Sequence, residues 1–119
     1  PRAAKAVGKI EKRGKASIKT LAKTSETFAQ GKTPGPFQMF ALGNALNKMK
    51  KELTNGQGIR DLRTVAKTCN DPNIIKDSMH TMLERQGVSP ALLTWMENNP
   101  IYESLISSMT APTPITRNR

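Results

Sequence analysis

At 119 residues the chain has room for one domain of modest size with a single small core. Nineteen Lys and Arg against nine Asp and Glu give a net charge of +10 and a pI near 10.2, an excess that points to a polyanionic partner, with nucleic acid first among them. One cysteine, Cys69, excludes an internal disulfide. One Cys with one His excludes a structural zinc site, and no apolar run forms a secretory core or reaches the ~20 residues that cross a bilayer.

The charge is unevenly placed. Through Lys67 there are fifteen basic residues and four acids (Glu11, Glu26, Glu52, Asp61), and from Thr68 onward four basic residues and five acids. Such asymmetry suggests a nucleic-acid-facing part joined to a neutral part that folds or binds protein. A start at Pro1 fits removal of an initiator methionine, and excision from a longer chain would look the same. The expected setting is a virion or an intracellular reducing compartment, neither secreted nor transmembrane.

The first segment, AKAVGKIEKRGKASIKTLAK from Ala4 to Lys23, separates into two sides at 100° per residue. Val7, Ile10, Gly14, Ile18, Leu21, Ser25 and Phe28 share one side, and Lys5, Lys9, Lys12, Lys19 and Lys23 take the other. That pattern predicts a helix. Gly8 and Gly14 each cost about 1 kcal/mol relative to alanine, so the isolated segment is marginal and needs a partner to be fully helical. A membrane-surface helix would carry more Trp, Phe and Leu, and a mitochondrial leader would favour Arg and avoid Glu11 and Glu26. The expectation is therefore a basic amphipathic arm and Pro/Gly linker over residues 1–35, its seam packed on the bundle or on a second copy.

Gly31-Lys32-Thr33-Pro34-Gly35-Pro36 reads as a loop. Beyond it, Leu42, Leu46, Met49 and Leu53 recur at spacings of three and four, predicting a helix from Phe37 to Leu53. Phe37, Phe40, Asn44, Lys48 and Lys51 share a different side of that helix. Phenylalanines at helical spacing are usually core, which is the expectation here, and stacking rings beside phosphate-binding lysines are the alternative. Asn55-Gly56-Gln57-Gly58 marks a break, followed by a stripe of Ile59, Leu62, Val65, Ala66 and Cys69. Asp71-Pro72, Ser89-Pro90 and Asn99-Pro100 each put a capping side chain before a proline at the first helical position, announcing three further short helices. Their apolar stripes are Ile75, Met79, Met82 and Leu83, then Leu92, Leu93 and Met96, then Leu105, Ile106 and Met109.

The fold class this implies is all-α: a small bundle of about five short helices over residues 36–109, preceded by the arm and followed by an extended tail over 110–119. No catalytic constellation accompanies it. His80 is the sole histidine and would have to rely on distant carboxylates such as Asp77 or Glu84, GKTPG lacks phosphate-loop spacing, and Cys69 reads as a small buried hydrophobe. Neither a cofactor nor a small-molecule substrate is expected, and membrane contact is not either.

Lysines act as flexible point charges on phosphates, and the arm is poor in the bidentate arginines that read bases. The expected function is sequence-independent binding of RNA or DNA through Lys5, Lys9, Lys12, Arg13, Lys15, Lys19 and Lys23, with Lys48, Lys50 and Lys51 as a second patch. RNA is favoured, and the architecture is analogous to small nucleocapsid and virion-core proteins that package a genome and form homo-oligomers. Ile18, Leu21, Phe28, Trp95 and Tyr102 are the expected contact residues between copies or with a partner. Two alternatives stand beside this reading. One is a basic structural subunit of a ribonucleoprotein such as a ribosome. The other is a helical interaction module whose methionines line a groove, loosely resembling helical chaperone-type domains over about twenty residues, SPALLTWMENNPIYESLISSM.

Overall fold

Helix starts and stops in this chain are written in local chemistry, and a computed structural model follows them closely. It describes residues 2–29, 35–69 and 71–110, with the side chains of residues 2, 28 and 29 outside the description. The order is α1 (Arg2–Arg13), α2 (Lys15–Ala29), α3 (Pro36–Thr54), α4 (Gly56–Thr68), α5 (Pro72–Arg85), α6 (Pro90–Glu97) and α7 (Pro100–Thr110). The protein is all-α, with no strand among the described residues. The five helices expected between residues 36 and 109 are α3 to α7. Most of the Gly31–Pro36 loop and nearly all of the extended tail lie outside the described residues.

Each of the three predicted caps is used. Asp71 accepts from the Asn73 N–H at 2.9 Å, Ser89 from Leu92 at 3.2 Å, and Asn99 Oδ1 from Ile101 at 2.9 Å. α5 closes on Gly87 at φ 100°. The Val88 N–H reaches the Leu83 carbonyl and the Gly87 N–H that of Glu84, while Leu83 and Val88 are both buried. That is a Schellman ending with its apolar contact.

The break at Asn55 is a single extended residue, and Gly58 lies inside α4. A Cβ at Gly58 would sit 1.9 Å from the Glu52 carbonyl oxygen and 2.7 Å from the Leu53 Cα. Glycine there lets the start of α4 press against the end of α3, a packing role the sequence pattern does not show. Among the stripe residues of α4, Leu62 and Val65 are buried, Ala66 and Cys69 half-buried, and Ile59 exposed.

The first two helices belong to the same core as the rest. Helical hydrogen bonds run through Gly14, from its N–H to the Ile10 carbonyl and from the Ile18 N–H to its own carbonyl, so α1 leads directly into α2. α1 packs against α4 and α5, and α2 against α3 and α6, while α7 lies against α3, α4, α5 and α6. Val7, Ile10, Gly14, Ile18, Leu21 and Ser25 are all buried, as the helical wheel requires. A Cβ at Gly14 would meet Met49 Cγ at 3.3 Å, so the glycine admits α3 close to the junction. The Ser25 hydroxyl donates to the Leu21 carbonyl and accepts from the Ser89 N–H at 2.9 Å, tying α2 to the start of α6.

The seam is thus filled by the chain's own bundle. A chain starting at Pro36 would therefore lose Val7, Ile10, Ile18 and Leu21 from the core, at about 2–5 kcal/mol for each large side chain. Four such losses together are comparable to or larger than the roughly 5–15 kcal/mol that holds a domain together. In urea titrations followed by circular dichroism, the truncated chain is expected to show no cooperative transition. A sharp transition with the helix content of α3–α7 would contradict this.

Candidate nucleic-acid interface

With the seam inward, the opposite side of α1 and α2 must face water. Lys5, Lys9, Lys12, Lys15, Lys19 and Lys23 are all exposed. No lysine ammonium forms an ion pair among the described residues. Lys5, Lys9, Lys12 and Lys15 line a groove of about 660 Å³ together with Gly8, Ile18, Glu11, Arg85 and Gln86. Arg85 comes from the end of α5, more than seventy positions away along the chain, and no local signal in the sequence links it to the arm.

The one acid in this groove is engaged. Arg85 Nη2 donates to both carboxylate oxygens of Glu11 at 2.9 Å, and Gln86 Nε2 donates to Oε2. Burial works against ionisation of Glu11, but the hydrogen bonds from Gln86 and Arg85 and the charge of Arg85 outweigh it and hold the carboxyl below its usual range. Two other acids of the basic half are used similarly. Asp61 accepts from Arg13 Nε at 3.1 Å, joining α4 to the end of α1, and Glu52 accepts from the Ser17 hydroxyl at 3.3 Å. These three acids join helices and form no ion pair with a lysine, while the fourth, Glu26, is exposed on α2.

Arg13, expected as a phosphate contact, therefore has its charge partly satisfied by Asp61. It still borders a second hollow of about 430 Å³ with Lys9, Lys12, Glu52 and Asp61. On α3, Lys48 and Lys51 are exposed and Lys50 is half-buried. Lys48 borders a shallow hollow of about 260 Å³ between α2 and α3, lined also by Ala16, Ser17, Thr20, Ala41, Asn44 and Ala45. The second patch thus adjoins the first at α2.

The expected contact residues fare differently. Ile18, Leu21 and Tyr102 are 2%, 0% and 1% exposed and pack within the core of their own chain. Trp95 is half-buried against the core, and the Phe28 side chain lies outside the described residues. Met49, Met79, Met82, Met96 and Met109 are buried, which makes them core and leaves Met39 the one exposed methionine. The expectation for Phe37 and Phe40 is overturned: they are 90% and 69% exposed, because their side of α3 points away from the leucine stripe.

His80 is half-buried, with Nδ1 3.4 Å from Glu97 Oε1 and its ring stacked on Tyr102 at 6.1 Å. Its carboxylate neighbour is therefore Glu97, not Asp77 or Glu84. Burial, and then the charge of Glu97, push the Tyr102 phenol up. Among the described residues no group of three or more His, Cys, Asp or Glu could hold a metal, and no helix is long and apolar enough to cross a membrane. No protein family, curated protein or solved structure matches the chain.

The depressed Glu11 carboxyl gives a pH dependence with a definite sign. A folded-state pKa below the unfolded one means the unfolded chain binds more protons in acid, so this contribution is full at neutral pH and is lost as pH falls through the folded value. Glu11→Gln is expected to lower stability by no more than about 1 kcal/mol at neutral pH, as for a solvent-screened pair. The gap to the parent chain should close in acid. Urea midpoints measured against pH check this, and a constant gap would contradict it.

Proposed function

We propose that the protein binds nucleic acid through its phosphates, largely without regard to sequence, as a non-catalytic packaging or coating protein of the nucleocapsid or virion-core kind, with RNA the favoured partner. The observation that carries the reading is the exposed, unpaired lysine face of α1 and α2, set beside acids that are turned to partners within the fold. Each lysine that neutralises a phosphate releases condensed counterion, and the favourable entropy of that release drives binding without base contacts. A rigid helical face improves on a floppy tail because its backbone is already ordered and only the lysine side chains lose freedom at the moment of binding.

Lys5, Lys9, Lys12 and Lys15 form the centre of the surface, with Lys19 and Lys23 extending it along α2 and Lys48 and Lys51 flanking it on α3. Arg85 joins the groove as an arginine already tied to Glu11. Packaging also requires copies to associate. With Ile18, Leu21 and Tyr102 inside the core, that association falls to the nucleic acid that successive copies share and to surfaces other than those residues.

For a single-stranded ligand the logarithm of affinity should fall with the logarithm of salt by about 0.7 for each lysine in contact. Replacing Lys5, Lys9, Lys12 and Lys15 together by glutamine is expected to flatten that slope by about 3 while leaving the helical spectrum intact, since all four are exposed. Fluorescence anisotropy with a labelled RNA across a salt series, with sedimentation of the same mixtures, measures both binding and induced assembly. An unchanged slope in the fourfold variant would refute the assignment of the surface.

A further inference from the structure

Two phenylalanines stand in water on α3, and they are not scattered. At 100° per residue Phe37, Phe40, Asn44, Lys48 and Lys51 fall within a narrow sector on the side opposite Leu42, Leu46, Met49 and Leu53. Along the helix axis the stripe runs about 21 Å, with positions 37 and 40 offset by about 4.5 Å of rise at one end and the lysine positions at the other. We propose that this stripe is a stacking platform for unpaired bases, so that the protein prefers single-stranded to double-stranded nucleic acid.

The inference rests on the nucleic-acid reading above and adds a class of substrate to it. Every base has a π-face, and aromatic side chains beside a basic track are how proteins hold single strands without reading sequence. A base-paired, stacked duplex offers no free face to a ring. Asn44 lies between the rings and the lysines and can donate to or accept from a base edge or a ribose hydroxyl. Asn44 and Lys48 also border the hollow that Ala16 and Thr20 of α2 line. A strand laid along the stripe therefore passes directly to the helix that carries Lys19 and Lys23.

Charge selects this occupant over a second copy of the chain. Each copy carries a net charge of +10, so two copies meeting on this basic stripe with no polyanion between them repel one another. A lipid surface would need a wider apolar face than two rings ending in lysines.

The test compares an unstructured oligouridine with an RNA duplex carrying the same number of phosphates, both measured by anisotropy at one salt concentration. The parent chain should bind the oligouridine more tightly. Phe37→Ala with Phe40→Ala should weaken that binding by about tenfold or more, leave duplex affinity unchanged, and leave the salt slope unchanged. Tryptophan at both positions should restore binding, because it keeps a π-face.

Equal affinity of the alanine variant and the parent for oligouridine overturns the stacking platform while leaving the lysine surface standing. Equal loss on single strand and duplex also overturns it, as does a change in the oligomeric state of the free protein, which would make the stripe a contact between copies. If the parent binds neither RNA at low salt, the nucleic-acid reading itself falls, and this inference with it.

Discussion

The structure depends on the burial of one narrow seam. Val7, Ile10, Ile18 and Leu21, with Gly14 and Ser25 on the same side, are enclosed by α3, α4, α5 and α6. That burial supplies the partner without which a segment with two internal glycines and many lysines would be marginal as a helix. It also sets the direction of every lysine on the other side. The geometry of the charged face is a consequence of apolar packing beneath it, and like-charge repulsion along α1 and α2 is outweighed by that packing.

The acids complete the arrangement. In a half of the chain so rich in cations, Glu11, Asp61 and Glu52 would be natural partners for neighbouring lysines. They bond instead to Arg85 and Gln86, to Arg13, and to Ser17, each contact joining two helices. Arginine suits this role, since its planar fork pairs with carboxylates while lysine stays hydrated. The same contacts that fasten α1 to α4 and α5 therefore leave a field of positive potential over the groove. Salt screens such a field over about 8–10 Å, which is why ionic strength is the variable that probes it best.

Much of this was legible in the sequence wherever the determinant is local. Asp71, Ser89 and Asn99 before proline announced three helix starts, and the 3.6-residue periodicity picked out most of the buried stripe residues, Ile59 of α4 excepted, and both sides of the first segment. What escaped depends on contacts between residues far apart in the chain. Nothing near Ile18, Leu21 or Tyr102 says whether their burial comes from the same chain or a second copy. Gly58 reads as a breaker, and its real constraint is the Glu52 carbonyl packed where a side chain would be. Arg85 enters the groove only because α5 packs on α1. Phe37 and Phe40 lie opposite the leucine stripe on the wheel, but whether another helix covers that side depends on how α3 docks, so their exposure is visible only in the fold.

The central claim is that the lysine face is held rigid by the fold before any polyanion arrives. Hydrogen exchange of the free protein, read amide by amide, tests it most directly. The account predicts that amides of α1 and α2 around Ile10, Ile18 and Leu21 exchange as slowly as those around Met79 in α5 and Leu105 in α7, with no nucleic acid present. Rapid exchange throughout α1 and α2 in the free protein, with protection appearing only when RNA is added, would contradict it.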